Sequence, residues 1–428
     1  MLHPFESKRM FEDQKYSELI ELGNNKDNRA EFTERDWRYY LQSLYKQQRY
    51  KEFLDKYKEA YKQHPNIEGV DWNLCWALYY TYIRDFDFKK GDINLYRRQI
   101  TLILDKLQND KGNVLPKTIV FQFCKAIKEG FVGESRDFSL IESYLKRINP
   151  DNLTKEEQMN TNPKIKTKSF ASDYERWYSY MSKALLEQEK YDECIECCDK
   201  ALDTINKFHS NNDIWFNYRK AKSLREIGRE AKGTEIINKT LSSRFSHWCL
   251  YEYLFDNAVN SDDGDSASMY GAKCATADKE HKMRVTFYKK YADYLEKHDC
   301  VREAMLLHQL IILVRQEEGW REKSYFADWN ISNDVRQLRK NDILEELNGY
   351  WRKLVDSDKI AGRIKKIICE GGSGFIVDKN GNEYYFNAKD FKAQRSKMVE
   401  GQEVKFNLID GFDKKKNIKT KNATNITL

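Results

Sequence analysis

Between about Phe11 and Lys353 the apolar positions recur every three or four residues, the spacing of one buried helical face. Strict alternation of apolar and polar positions appears only after Ile360. The helical stretch also carries a longer period. Trp37, Tyr40, Leu44, Tyr57, Ala60 and Pro65 stand at positions 4, 7, 11, 24, 27 and 32 of a helix–turn–helix block. Tyr178, Met181, Ser182, Leu185, Tyr191, Cys194, Cys198 and Ala201 take positions 4, 7, 8, 11, 17, 20, 24 and 27 of a second. Ala221, Leu224, Gly228 and Gly233 mark a looser third block at 8, 11, 15 and 20, and Tyr288, Tyr291, Ala292, Leu295 and Ala304 mark a fourth. Small residues at 8, 20 and 27 let two antiparallel helices approach closely, while large ones at 4, 7, 11 and 24 fill the seams.

Breaks in these patterns predict the organisation. Asp151–Ser169 is polar, holds Asn162-Pro163 and has no periodicity, so it reads as a loop. Asn260–Asp278 reads as a second long loop. Its run Asp262-Asp263-Gly264-Asp265 lacks the spacing and the final glutamate of a calcium loop and reads as a solvated turn. From about Arg321 to Val355 one or two helices lead onward. The domains expected are a helical region over 1–150, a second over 171–355 and a small barrel over 358–428.

Five strands are predicted in the last segment: Gly362–Ile367, Gly374–Val377, Glu383–Asn387, Gln402–Leu408 and Ile418–Ile426. Lys379-Asn380-Gly381-Asn382 supplies a hairpin turn between the second and third. Alternation then sorts the faces. With Ile376 in the core, Phe375 and Ser373 point the other way, together with Tyr385 and Asn387, while Tyr384, Phe386 and Phe406 face the core. Phe375 and Tyr385 are therefore expected side by side as a stacking platform for bases. Ser373 and Asn387 are placed to hydrogen-bond base edges, and Lys365, Lys366, Lys389, Lys392 and Arg395 to follow backbone phosphates. The bland alternative is that the two rings merely fill surface or touch a partner protein. Lys414-Lys415-Lys416 divides evenly between a solvated hairpin tip and a further phosphate contact.

The helical blocks, with the closing Pro65, resemble tetratricopeptide repeats. The terminal segment resembles the cold-shock/S1-like branch of oligonucleotide-binding (OB) folds. Gly362 to Ile376 lies without a gap over that family's Gly-x-Val-Lys-Trp-Phe-x-x-x-x-Gly-Phe-Gly-Phe-Ile. Tyr384-Tyr385-Phe386-Asn387 lies over its Val-Phe-Val-His, and Glu400-Gly401-Gln402, Val404, Phe406 and Ala423-Thr424-Asn425-Ile426 follow in order. The resemblance implies a mainly α chain, a tetratricopeptide-like solenoid, ending in a small all-β OB-fold barrel that binds single-stranded RNA or DNA. Three aromatic positions depart from the family: its Trp is Lys366, the first Phe of its glycine-rich strand is Ser373, and the Phe after the third-strand His is Ala388. The His itself is Asn387. Binding should accordingly lean more on charge.

Charge supports that emphasis. The chain of 428 residues has 74 Lys and Arg against 68 Asp and Glu. Residues 358–428 hold 15 against 9, so the whole excess of six lies in the terminal segment. The most apolar run, Ala304–Val314, is eleven residues long and too short to span a bilayer. The first residues lack a basic n-region and apolar h-region. Nine scattered cysteines fit reduced thiols, so a cytoplasmic location without a membrane partner is expected.

No enzyme signature emerges. Cys194, Cys197 and Cys198 share a helical face, but zinc would require a second ligand pair that the neighbouring sequence lacks. Gly371-Gly372-Ser373-Gly374 leads into a strand and has no Gly-Lys-Ser/Thr ending, so it is no phosphate loop. The expectation is a non-enzymatic nucleic-acid-binding adaptor without cofactors, whose solenoid groove recruits partner proteins. The alternative is an interaction scaffold in which the barrel is a protein-docking module. The domain order resembles proteins of prokaryotic anti-phage conflict loci called TOTE systems. That resemblance implies helicase, primase-like or nuclease partners.

Overall fold

Thr33 shows how the helical pattern becomes structure. Its hydroxyl accepts the Asp36 N–H at 3.3 Å while the Asp36 carboxylate accepts the Thr33 N–H at 3.0 Å. This reciprocal cap starts helix α1 (Glu34–Lys46), and α2 (Tyr50–Gln63) returns along it. Trp37, Tyr40, Leu44 and Ala60 are fully buried in the seam, as the spacing predicts. The computed structural model describes residues 6–65, 67–108, 114–130, 137–159, 169–243, 247–278, 280–321, 323–357, 359–368, 372–413 and 418–428.

Four more hairpins repeat this form: α3 (Asp173–Glu187) with α4 (Tyr191–Thr204), α5 (Asp213–Glu226) with α6 (Glu230–Ser243), α7 (Trp248–Asn260) with α8 (Gly264–Thr276), and α9 (Val285–Lys297) with α10 (Val301–Glu317). All five close on the same turn. Gln48, Glu189, Gly228, Asp262 and Asp299 adopt left-handed φ of 56–75°. The next N–H reaches back to a carbonyl of the first helix: Arg49 to Leu44, Lys190 to Leu185, Arg229 to Leu224, Asp263 to Ala258, and Cys300 to Leu295, at 2.7–3.0 Å. That six-to-one bond with a left-handed residue is the Schellman stop of a helix. A shorter hairpin, Glu6–Glu12 with Tyr16–Asn24, closes likewise at Gln14. Gln14 to Gln48 and Gly228 to Asp262 are both 34 positions, the period of a tetratricopeptide repeat.

The segment 260–278, expected to be a loop, is instead helix α8 behind a three-residue turn. Asp262 is the left-handed residue of that turn, and the Asp263 carboxylate caps α8 by accepting the Ser266 N–H at 3.1 Å. The helix escaped the apolar pattern because its packing face is made of small residues. Ala267, Gly271, Ala272 and Ala275 are buried, and Tyr291 of α9 lies where a Gly271 Cβ would be, 2.5 Å from the ring. In the same way Gly233 of α6 admits the Tyr253 hydroxyl of α7.

The chain divides into two compact units, Met1–Arg219 and Lys220–Leu428. Hairpins α1–α2 and α3–α4 belong to the first. The boundary falls within α5, and the second unit holds α6 to α10, helix α11 (Lys340–Ser357) and the barrel, whose core is a cluster separate from the helical one. Cys194, Cys197 and Cys198 are buried packing residues of α4, and burial pushes the Cys197 and Cys198 thiols well above the ordinary value.

His308 of α10 gives a measurable pH dependence. It is 1% exposed and stacked on Trp329 at 4.1 Å; the Glu296 carboxylate stands 3.7 Å from its Nδ1, beyond hydrogen-bond reach, and neither ring nitrogen has a hydrogen-bond partner among the described residues. Burial, opposed by Asp293, lowers its pKa from 6.5 to about 4. The folded state therefore holds the imidazole neutral while the unfolded chain takes up a proton below pH 6.5. Stability is complete above that value and falls as pH drops towards 4, at up to roughly 1.4 kcal/mol per pH unit. Melting curves across that window should slope less steeply in His308→Leu than in the parent.

Strands β1 (Ile360–Ile368), β2 (Ser373–Asp378), β3 (Glu383–Asn387), β4 (Glu403–Asp413) and β5 (Ile418–Thr427) form a closed barrel in the order β1-β2-β3-β5-β4. Only β3–β5 is parallel; the other pairs are antiparallel. This is an OB-like barrel. Ile364, Ile376, Phe386, Val404, Phe406, Ala423 and Ile426 fill it. Tyr384 is half-buried, its hydroxyl donating to Asp378 at 3.0 Å. Asp378 also accepts the Asn380 and Asn382 N–H groups, and with Gly381 at φ 84° it shapes the predicted turn.

Candidate nucleic-acid interface

Directly paired residues of neighbouring strands share a face. Phe375 on β2 pairs with Tyr385 on β3, and their ring centroids lie 5.8 Å apart at 72°. Tyr385 is 37% exposed and Phe375 is half-buried, so both rings reach the outer surface. The edge-to-face angle makes a corner rather than a flat shelf.

A bulge completes the row. Ile364 pairs with Ile376, but the next β1 residue to pair is Lys366, opposite Phe375, and Lys365 is the extra residue between them. Without it, alternation from buried Ile364 would put Lys366 inside. With it, exposed Lys366, Phe375 and Tyr385 form one row across three strands. Asn422 of β5 pairs with Tyr385 and extends the row to a fourth. Nothing in the sequence pattern pointed to Asn422, because a parallel contact between β3 and β5 leaves no local signal.

The other expected site residues fare differently. Lys365 is exposed, but its ammonium is ion-paired with Glu383, which discounts its charge. Ser373 pairs with Asn387 as alternation requires, yet it is only 3% exposed. That burial counts against the expectation that Ser373 meets base edges. Asn387 is half-buried, and its Oδ1 accepts the Lys389 N–H at 3.1 Å, capping the short turn Ala388–Asp390. Half of its amide is thus committed to the fold. Lys389, Lys392 and Arg395 are exposed on the connection from β3 to β4 and stand outside the three-strand row. The Lys392 N–H is fixed on the Ile426 carbonyl at 2.8 Å, beside the end of β5. Among the described residues no ion pair engages Lys366, Lys389, Lys392 or Arg395. Lys414–Lys416 and Gly371 lie outside the described residues.

No family model matches the chain, and no curated protein matches it.

The surface rests on its own geometry. Two aromatic rings, one exposed ammonium and one amide share four adjacent strands of an OB-like barrel, in the segment that carries the chain's charge excess. Such a surface can stack two unpaired bases and hold a phosphate beside them. A second row, Arg363–Val377–Glu383, adds the exposed guanidinium of Arg363, another residue the sequence reading passed over. Only its pairing through Val377 places it near the rings.

Proposed function

We propose that the barrel binds single-stranded RNA or DNA across the Lys366–Phe375–Tyr385 row, and that the helical hairpins recruit partner proteins to it. The observation that carries this reading is the cross-strand pair of surface rings, set opposite the exposed Lys366 by the β1 bulge. Aromatic faces stack on any base, and a nearby ammonium answers the phosphate. The resemblance to the conflict-locus proteins supports an adaptor role beside helicase or nuclease partners in anti-phage defence. The cytoplasm is the compartment this role requires.

The barrel's affinity should fall with salt. Three to five neutralised phosphates on a single strand give a log–log slope of roughly −2 to −4. Fluorescence anisotropy with a labelled oligonucleotide at several salt concentrations measures it, and a flat response would exclude the phosphate contacts. The buried Ser373 and the committed Asn387 favour one second reading, in which the face docks a protein. A pull-down with and without nuclease separates the two, because partners retained after digestion would be bound through protein alone.

A further inference from the structure

One helix of the first unit, Asp71–Leu78, is apolar on two sides. Leu74, Cys75, Ala77 and Leu78 are its buried residues. Trp72 and Trp76 stand four positions apart on another face, and the stripe continues to Tyr80 in the π-helical turn Tyr79–Ile83. The rings then run on without a break. Trp72 and Trp76 have centroids 5.9 Å apart, and Trp76 and Tyr80 5.6 Å. Tyr50 of α2 stacks on Tyr80 at 4.6 Å, while Tyr45 of α1 stands 5.6 Å from Tyr50 and 5.7 Å from Trp72. Trp72 is 48% exposed and the other four are half-buried. Connected apolar surface of this kind marks an interaction site.

The patch also offers hydrogen-bond donors. No group among the described residues pairs the Tyr45, Tyr50 or Tyr80 hydroxyl, and, unlike the Trp76 Nε1, none of the three is sealed from solvent. Burial raises the Tyr45 pKa to about 12, and the Tyr50 and Tyr80 phenols add to the rise. The hydroxyls therefore lie near one another and keep their protons.

Charge around the rings is positive. Arg84 lies 5.4 Å from the Tyr80 centroid, and it opposes the burial that raises the Tyr50 pKa. Its partner Asp85 is exposed, and such a pair exchanges at little cost. The other carboxylates close in sequence to the rings are taken up, Glu52 by Arg49 and Asp71 by Lys106. Lys46 and Lys51, next in sequence to Tyr45 and Tyr50, are exposed and have no ion pair among the described residues.

We propose that this patch docks a proline-rich segment of a partner protein, with an acidic residue beside its prolines. The inference rests on the reading that the helical hairpins recruit partners, and names the chemistry of one. Proline-rich chain adopts the polyproline II form, which has no internal hydrogen bonds and leaves its carbonyls free. Those carbonyls accept from the tyrosine hydroxyls, the proline rings pack on the aromatic surface, and the acid meets Arg84 and the lysines. A helical partner would arrive with its carbonyls already bonded. The length also fits: from Trp72 to Tyr80 the helix rises about 12 Å, which about four residues of polyproline II span.

Anisotropy titrations of the full chain test it with three fluorescein-labelled octapeptides: six prolines flanked by glutamates, six alanines flanked by glutamates, and six prolines flanked by lysines. The first should bind about tenfold or more tighter than the second and several-fold tighter than the third. Trp72→Ala should weaken it about tenfold with an unchanged melting curve, because that side chain is half in solvent. Tyr45→Phe with Tyr50→Phe keeps the rings and should weaken it several-fold, and Arg84→Gln should narrow the gap between glutamate and lysine peptides. Equal binding of proline and alanine peptides, or full affinity in Trp72→Ala, would overturn the proposal. So would an oligonucleotide that loses affinity in Trp72→Ala while the proline peptide does not bind, since the patch would then serve nucleic acid. If no peptide binds but the pull-down keeps partners after nuclease digestion, this proposal falls and recruitment stands; if partners vanish as well, both fall.

Discussion

Phe375→Ala combined with Tyr385→Ala should lower oligonucleotide affinity more than tenfold while the barrel stays folded. Each base stacked on an aromatic ring contributes about 1–3 kcal/mol, so losing both removes about 2–6 kcal/mol, and 1.4 kcal/mol is already a factor of ten. Folding should tolerate the change because the barrel interior is built from the alternate residues. Ile376 and Phe386, the inward neighbours of the two rings, are fully buried, whereas the rings themselves reach the surface. Anisotropy titrations of parent and variant, with thermal melts beside them, separate binding from stability. A titration curve that does not move would sink the stacking reading, since no other aromatic side chain pairs into that row. Lys366→Ala should act differently, weakening binding to all sequences and making the salt slope shallower.

What the sequence could reveal follows from which interactions leave a local trace. Helix hairpins announce themselves through large residues at fixed offsets, and Trp37, Tyr40, Tyr178, Tyr288 and Tyr291 sit in the seams where the spacing puts them. Helix α8 stayed hidden because its interface is made by the absence of side chain at Gly271, and absence does not register as apolar periodicity. Its aspartates looked like a loop for the same reason that they cap well: short carboxylates bond backbone N–H groups at turns and helix starts alike. In the barrel, alternation paired Phe375 with Tyr385. It could not foresee that Ser373, on the same face as Phe375, is only 3% exposed, because burial on an outer face is not set by alternation. Nor could it foresee the bulge at Lys365, which sets the orientation of Lys366. Asn422 and Arg363 join the face only through pairings between distant segments.

Gly374→Ala should unfold the barrel locally and leave the helical hairpins standing. Gly374 pairs with Phe386 on one side and Ile367 on the other, so a Cβ there points into the barrel. It would stand 2.5 Å from the Lys366 carbonyl oxygen and 2.6 Å from the Phe386 ring. Neither neighbour can yield cheaply. The carbonyl belongs to the strand beside the bulge, and Phe386 is fully buried among Ile364, Ile376 and Phe406. Overpacking of this kind costs roughly 1–3 kcal/mol, a large share of the stability of so small a barrel. Gly381→Ala is the contrast: its Cβ meets open space, and its φ of 84° alone makes the substitution costly, by about 1 kcal/mol. Hydrogen exchange on the full chain should show amides of β1, β2 and β3 losing protection in Gly374→Ala, with α9 and α10 unaffected, because the two cores are separate clusters. Oligonucleotide binding should vanish together with that protection, whereas the ring variant should lose binding with protection intact. Unchanged exchange in Gly374→Ala would mean that β1 and β2 do not approach as closely as their register implies. Lys366 would then no longer be fixed opposite Phe375, and the row on which the binding surface depends would be broken at its first member.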